Sequence, residues 1–193
     1  MPRFPRVGLL AVALSAALVA CSGSTPPAFD PTGACTTDGR APGSYPDLEA
    51  LVPKSYRGEP PMTLDSGRNC SATNLGTLAS HGISEVRFAG GTWTFGAERA
   101  LVLATFTAPG LDADALSDFY AQSATTAART QITGQTTPEV AGRPGHRLDT
   151  ETSGRTQTVV VWPAATRDVV NVVISNDLPD ARIQDGIDAF GGK

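Results

Sequence analysis

With 193 residues and a formal net charge of −4, the chain is long enough for one domain of ordinary size and too acidic to favour nucleic acid or anionic lipid headgroups. No apolar run reaches the roughly 18 residues that a spanning helix needs. Two lysines, Lys54 and Lys193, stand against thirteen arginines, and Ala, Gly and Pro are abundant, the bias of a GC-rich coding sequence.

Arg3 and Arg6 precede an unbroken apolar run from Val7 to Ala20, which has the form of a signal-peptide core. The run ends in Leu18, Val19, Ala20 and Cys21. This tetrad resembles the lipobox of bacterial lipoproteins, in which a small residue precedes a cysteine that is acylated and becomes the first residue after cleavage. The resemblance implies that residues 1–20 are a signal peptide and that Cys21 bears a diacylglyceryl group and an amide-linked chain such as palmitate. It also implies extracytoplasmic localisation, with the lipid on Cys21 anchoring the protein to the cell membrane. One acyl chain binds only marginally, at about 0.8 kcal/mol per buried methylene, whereas two or three hold stably. A secretory signal with a stray cysteine is the alternative. Removing residues 1–20 takes away two basic and no acidic residues, so the mature charge becomes −6.

With Cys21 assigned to lipid, Cys35 and Cys70 remain, and in an oxidising compartment the pair is expected as a disulfide. Closing that loop stabilises the fold by roughly 3 to 4 kcal/mol in the chain-entropy picture. Two free thiols are the alternative. Neither cysteine belongs to a CxxC, which argues against thiol chemistry.

Residues 21–45 are rich in Ser, Thr, Pro and Gly and read as the lipidated cysteine followed by a flexible tether, free as far as Cys35. Residues 46–193 read as a single α+β domain. A short helix is expected over Asp47 to Val52, stopped by Pro53, then a strand over Pro61 to Ser66 and a weak helix over Asn69 to His81. Ser84 to Ala89 and Thr92 to Phe95 alternate around Gly90 and Gly91 as a tight hairpin would. Arg99 to Thr107 is apolar on both faces at its centre and belongs inside a sheet. Asp112 caps the clearest helix, with Leu111 and Leu116 at the spacing of a hydrophobic staple. Strands follow over Gln131 to Thr137, Arg143 to Thr150, Thr156 to Trp162 and Asp168 to Ser175, the last three as an antiparallel meander. A helix over Asp180 to Phe190 closes the chain, buried through Ile183, Ile187 and Phe190.

Gly58-x-Pro60-x-x-x-Leu64-Asp65-Ser66 matches Gly142-x-Pro144-x-x-x-Leu148-Asp149-Thr150. The match suggests two β-β-β-α repeats, over 54–127 and 131–190, building a mostly antiparallel sheet with helices packed on one face. Gly-x-Pro as ordinary turn chemistry is the alternative. The whole pattern resembles uncharacterised lipoproteins of GC-rich Gram-positive bacteria. In its late meander before a final helix it is similar also to PsbP-like sandwiches. Neither resemblance transfers a catalytic motif.

No nucleophile elbow, zincin, phosphate-loop or dinucleotide motif occurs. His81 at a helix end and His146 in a strand are isolated, so no metal site and no cofactor is expected. Asp112, Asp114 and Asp118 are expected as first-turn acids rather than calcium ligands, and Asp65 and Asp149 as strand-end residues unless a two-fold brings them together. Trp93 and Trp162 are expected in the core unless one faces a groove between repeats. The sequence therefore points to a non-catalytic, lipid-anchored binding or accessory module for a cell-envelope protein. A carrier of an apolar ligand such as a lipid is the first alternative, and a hydrolase with an unrecognised site is the second.

Overall fold

The computed structural model of the protein describes residues 29–96 and 98–191; the signal segment and Cys21 lie outside the described residues. In chain order the elements are β1 (Gly39–Ala41), α1 (Pro46–Glu49), β2 (Thr63–Asn69), α2 (Ala72–Leu75) running into a 3₁₀ turn (Gly76–His81), β3 (Val86–Thr94), β4 (Ala100–Thr107) and α3 (Ala113–Thr126). Then come β5 (Thr130–Thr136), a small hairpin of β6 (Glu139–Val140) and β7 (Arg143–Pro144), β8 (His146–Thr152), β9 (Arg155–Pro163), β10 (Val169–Asn176) and α4 (Asp180–Ala189). One eight-stranded sheet in the order β1-β2-β3-β4-β10-β9-β8-β5 carries the fold, and all its pairings are antiparallel. The protein is thus α+β on a large antiparallel sheet.

The centre of the sheet is the pairing of β4 with β10, from Val169 opposite Thr107 to Asn176 opposite Ala100. Alternation divides these strands between two cores. Val102, Ala104 and Phe106 face the first, with Val170 and Val172, under Leu111, Leu116 and Phe119. Leu101, Leu103 and Val173 face the second, with Val160 and Trp162, under Ile183, Ile187 and Phe190. Both faces of β4 are filled, as its doubly apolar sequence requires.

Helices α3 and α4 therefore cover opposite faces, which corrects the expectation that the helices share one. The cause is a phase difference of one residue. β9 and β10 begin 69 residues after β3 and β4, at Arg155 against Val86 and at Val169 against Ala100. Yet Leu103 shares its face with its cross-strand partner Val173, whereas Val172, 69 residues on from Leu103, looks to the other side. A one-residue slip moves a whole strand's side chains to the opposite face, and the closing helix must follow the apolar side. The strand order reads the same from either end between β2 and β8, but this does not establish a repeat. Leu148 is in the core while Leu64 is only half-buried and joins neither cluster. Gly58 and Gly142 do occupy similar turns, with Arg57 and Ala141 also at positive φ, but Ser153 and Gly154 form a third pair of the same kind. Two-residue turns with both φ positive are ordinary hairpin chemistry.

The hairpin expected at Gly90 and Gly91 is also corrected: β3 runs straight through both, with Gly90 opposite Ala104 and Gly91 opposite Leu103. Gly91 serves packing. A Cβ on Gly91 would lie 3.0 Å from the Trp93 ring and 3.2 Å from Pro61, so the indole folds back over a strand position that must stay bare. The reversal comes at Phe95–Arg99, where the Phe95 amide donates to the Arg99 carbonyl at 2.9 Å.

Asp112 caps α3, its Oδ1 accepting from the Ala115 amide at 2.8 Å, and Leu111 and Leu116 are 3% and 0% exposed beneath the first turn. Leu116→Ala should lower the stability read from urea unfolding by about 2–5 kcal/mol, because it leaves a cavity where helix and sheet are closest. A loss well under that range would show that the staple does not anchor the helix.

Candidate functional site

The far end of the expected tether is docked on the edge of the sheet. Cys35 and Cys70 form a disulfide with a Cα–Cα distance of 5.9 Å, at the end of β2. β1 adds three residues to that edge, Gly39 to Ala41 against Arg68 to Ser66. Arg68, only 4% exposed, donates from Nη1 to the Gly33 carbonyl at 2.7 Å and from Nη2 to the carbonyls of Ala34 and Asp30 at 3.1 and 3.2 Å. Its guanidinium also lies 5.7 Å from the Phe29 ring centroid. A buried guanidinium meeting carbonyl oxygens holds a turn of backbone as a clamp does, with five donors in a fixed plane.

Asp38 completes this dock. Its carboxylate accepts from the amides of Cys70 and Ser71 at 2.6 and 2.8 Å, from Asn74 Nδ2 at 2.6 Å and from the Ser71 hydroxyl. Burial raises its pKa, but these donors outweigh it and hold the group down at about 2.

The other sequence candidates are structural. Asp65 and Asp149 lie on β2 and β8, five strand spacings apart, or about 24 Å, so the two acids cannot act on one substrate. Asp65 faces Arg40 at 3.5 Å. Asp149 is locked by Arg147 at 2.9 Å and by the Thr158 hydroxyl at 2.6 Å; burial opposes its ionisation, yet these partners hold its pKa below the ordinary value, the reverse of what a general acid needs. His146 Nε2 meets Asp114 at 2.7 Å and ties β8 to the first turn of α3, while His81 stands 3.8 Å from Asp118. Among the described residues no group of three or more His, Cys, Asp or Glu converges as metal ligands would. Trp93 and Trp162 are 3% and 1% exposed in the α4 core, the first donating to the Glu59 carbonyl at 2.9 Å and the second packed edge-on against Phe190.

The sequence reading missed a cleft of about 440 Å³ between the second half of α3 and the end of the sheet formed by β5, β8 and β9. Its origin lies in the helix sequence. The buried residues of α3 are Ala113, Ala115, Leu116 and Ser117, all in its first two turns. Beyond Tyr120 the chain reads Ala-Gln-Ser-Ala-Thr-Thr-Ala, with no side chain large enough to reach the sheet. Ala124, Ala127, Leu148 and Val159 make an apolar floor, and Thr130, Thr152, Thr156, Gln157 and Asn176 line the walls. At the mouth Arg155 pairs with Glu98 and Asp177. Tyr120 also lines the cleft, half-buried, and burial raises the pKa of its phenol. A second hollow of about 390 Å³ beside α4 holds Arg147, already matched by Asp149 and Asp180.

Because Asp38 is depressed on folding, its contribution is fully present above the unfolded carboxylate range and is lost as pH falls through about 2. Oxidised protein should therefore lose urea resistance between about pH 4 and pH 2, and Asp38→Asn should flatten that part of the profile while lowering the neutral-pH midpoint. Superimposable profiles for the two proteins would show that the Asp38 hydrogen bonds do not hold the dock. In comparison with known proteins, no family model matches the chain, and no curated protein matches it.

Proposed function

We propose that this protein is a lipid-anchored extracytoplasmic module that binds a ligand in the cleft beneath α3 and does no chemistry on it. The observation that carries this reading is the cleft itself: an apolar floor under a helix that stops short of the sheet, with hydroxyl and amide walls. Its volume falls in the roughly 300–1,000 Å³ range of small-molecule sites. Its serine, Ser123, donates back to the Phe119 carbonyl at 2.7 Å, and neither histidine lines it. The floor favours an apolar ligand over a protein contact as its occupant. The lipobox-like tetrad ending in Cys21 and the disulfide support export and anchoring, and no described helix is long and apolar enough to cross a membrane. Eight residues separate Cys21 from Asp30, so a lipid on Cys21 would keep Asp30, where the docked segment begins, within about 30 Å of the bilayer.

In a host that acylates, Cys21→Ala should move the protein from the membrane to the soluble fraction and abolish incorporation of labelled palmitate. Native mass spectrometry of detergent-extracted protein should show a co-purifying small molecule that denaturation releases and that Ala124→Phe, which fills the cleft, excludes. Full solubility of the unsubstituted protein would refute the anchor, and a ligand retained by Ala124→Phe would refute the cleft.

A further inference from the structure

We infer that the Cys35–Cys70 disulfide is a redox-operated latch: when a dithiol reductant opens it, residues 30–41 leave the edge of the sheet, β1 is lost and the rest of the domain stays folded. The docked segment lies outside the core. From Phe29 to Ala50 no residue is fully buried, and the first that is, Val52, comes after α1. Both cysteines are only half-buried, so an external thiolate can reach a sulfur. That thiolate forms a mixed disulfide with one cysteine and releases the other, which takes up a proton. The reductant's second thiol then displaces the first cysteine, also as a thiol, and the reductant departs as its own disulfide, two electrons having passed to the protein.

Without the covalent bond the balance favours release. Fixing the backbone of each residue costs at least as much as one hydrogen bond returns net, and the contacts left to the segment are the Arg68 clamp, the Asp38 carboxylate and a ladder only three residues long. The ladder brings little side-chain packing, because a Cβ on Gly67 would strike the Gly39 carbonyl and both positions stay bare. Arg68 itself pulls the other way. Its guanidinium is 4% exposed, meets carbonyls, and has no partner for Nε among the described residues, so undocking returns a buried cation to water. One consequence rests on the anchoring reading above, although the latch does not. Docked, the chain holds Asp30 within about 30 Å of the bilayer; released as far as Tyr45, whose amide donates to Ser66 Oγ at 2.7 Å, the free tether spans residues 22–44 and its extended limit rises to about 80 Å.

Detergent-extracted protein is compared in its oxidised form and after reduction, alkylation of both cysteines and removal of the reductant. Reduction should speed tryptic cleavage after Arg40 at least about tenfold, since a protease reaches a paired strand only when it opens locally. It should also remove hydrogen-exchange protection from Gly39 to Ala41 while Leu103 and Val172, at the centre of the sheet, stay protected. Cys35→Ser combined with Cys70→Ser should behave as the reduced form does. Equal cleavage and exchange in the two forms would overturn the inference, because the polar contacts would then hold the dock alone. Loss of protection at Leu103 and Val172 on reduction would overturn it in the other direction, making the bond a staple of the whole domain. Recovery of the unsubstituted protein in the soluble fraction would refute the anchor and with it the change in reach, and the two exchange and cleavage readouts would still decide the latch.

Discussion

Because β4 and β10 pair along the whole of their eight residues, the two halves of the chain share a single sheet, and that sheet has two faces to cover. Neither half alone could do so. The first ends in α3, which takes the side of Val102 and Ala104, and the second ends in α4, which takes the side of Leu101 and Leu103. Gly186 lets α4 approach closely, since a Cβ there would stand 3.1 Å from Leu103 and 3.3 Å from Leu101. Each helix thus packs on strands from both halves, and the central pairing makes the cores interdependent: loosening it would expose apolar side chains on both sides at once.

The edge of the sheet obeys a different constraint. The segment from Asp30 to Ala41 has too few apolar residues to bury itself, so covalent and polar contacts hold it. The disulfide fixes one point, the carbonyls of Asp30, Gly33 and Ala34 converge on Arg68, and Asp38 gathers the start of α2. A charged side chain this deeply buried is stable only when its donors are met, and Arg68 Nε has no partner among the described residues. The dock therefore holds by geometry more than by a large net gain from any one bond. Its short strand also covers β2, which would otherwise present a bare edge for pairing with other chains.

Much of this was legible in the sequence, and the misses have identifiable causes. The Asp112 cap, the Leu111–Leu116 staple, the late meander and the Ile183, Ile187, Phe190 stripe are local signals, and local packing decides them. Gly90 and Gly91 were misleading because the bareness needed by the Trp93 ring has the same spelling as a turn. The division of helices between faces was hidden because strand order is insensitive to the one-residue phase that chooses a face. β1 gave no signal because Gly-Arg-Ala has no alternation, and its strand character is conferred by β2. The cleft was illegible for a related reason: small residues late in α3 look like good helix formers and become a void only once the sheet beneath them is in place.

That void is tied to how α3 is fixed. Its first turn is held by the Asp112 cap, by the staple and by the contact of Asp114 with His146 on β8. The sheet twists beneath it, as antiparallel sheets do, and the distance between helix and strands is filled by Leu116 and Phe119 near the anchored end. Past Tyr120 only the small side chains of Ala121 and Ala124 reach the core, and the gap stays open. A Leu at 124 would have closed the gap at little cost in helix propensity, so the alanines at 124 and at the C-cap, 127, are what leave the cleft open.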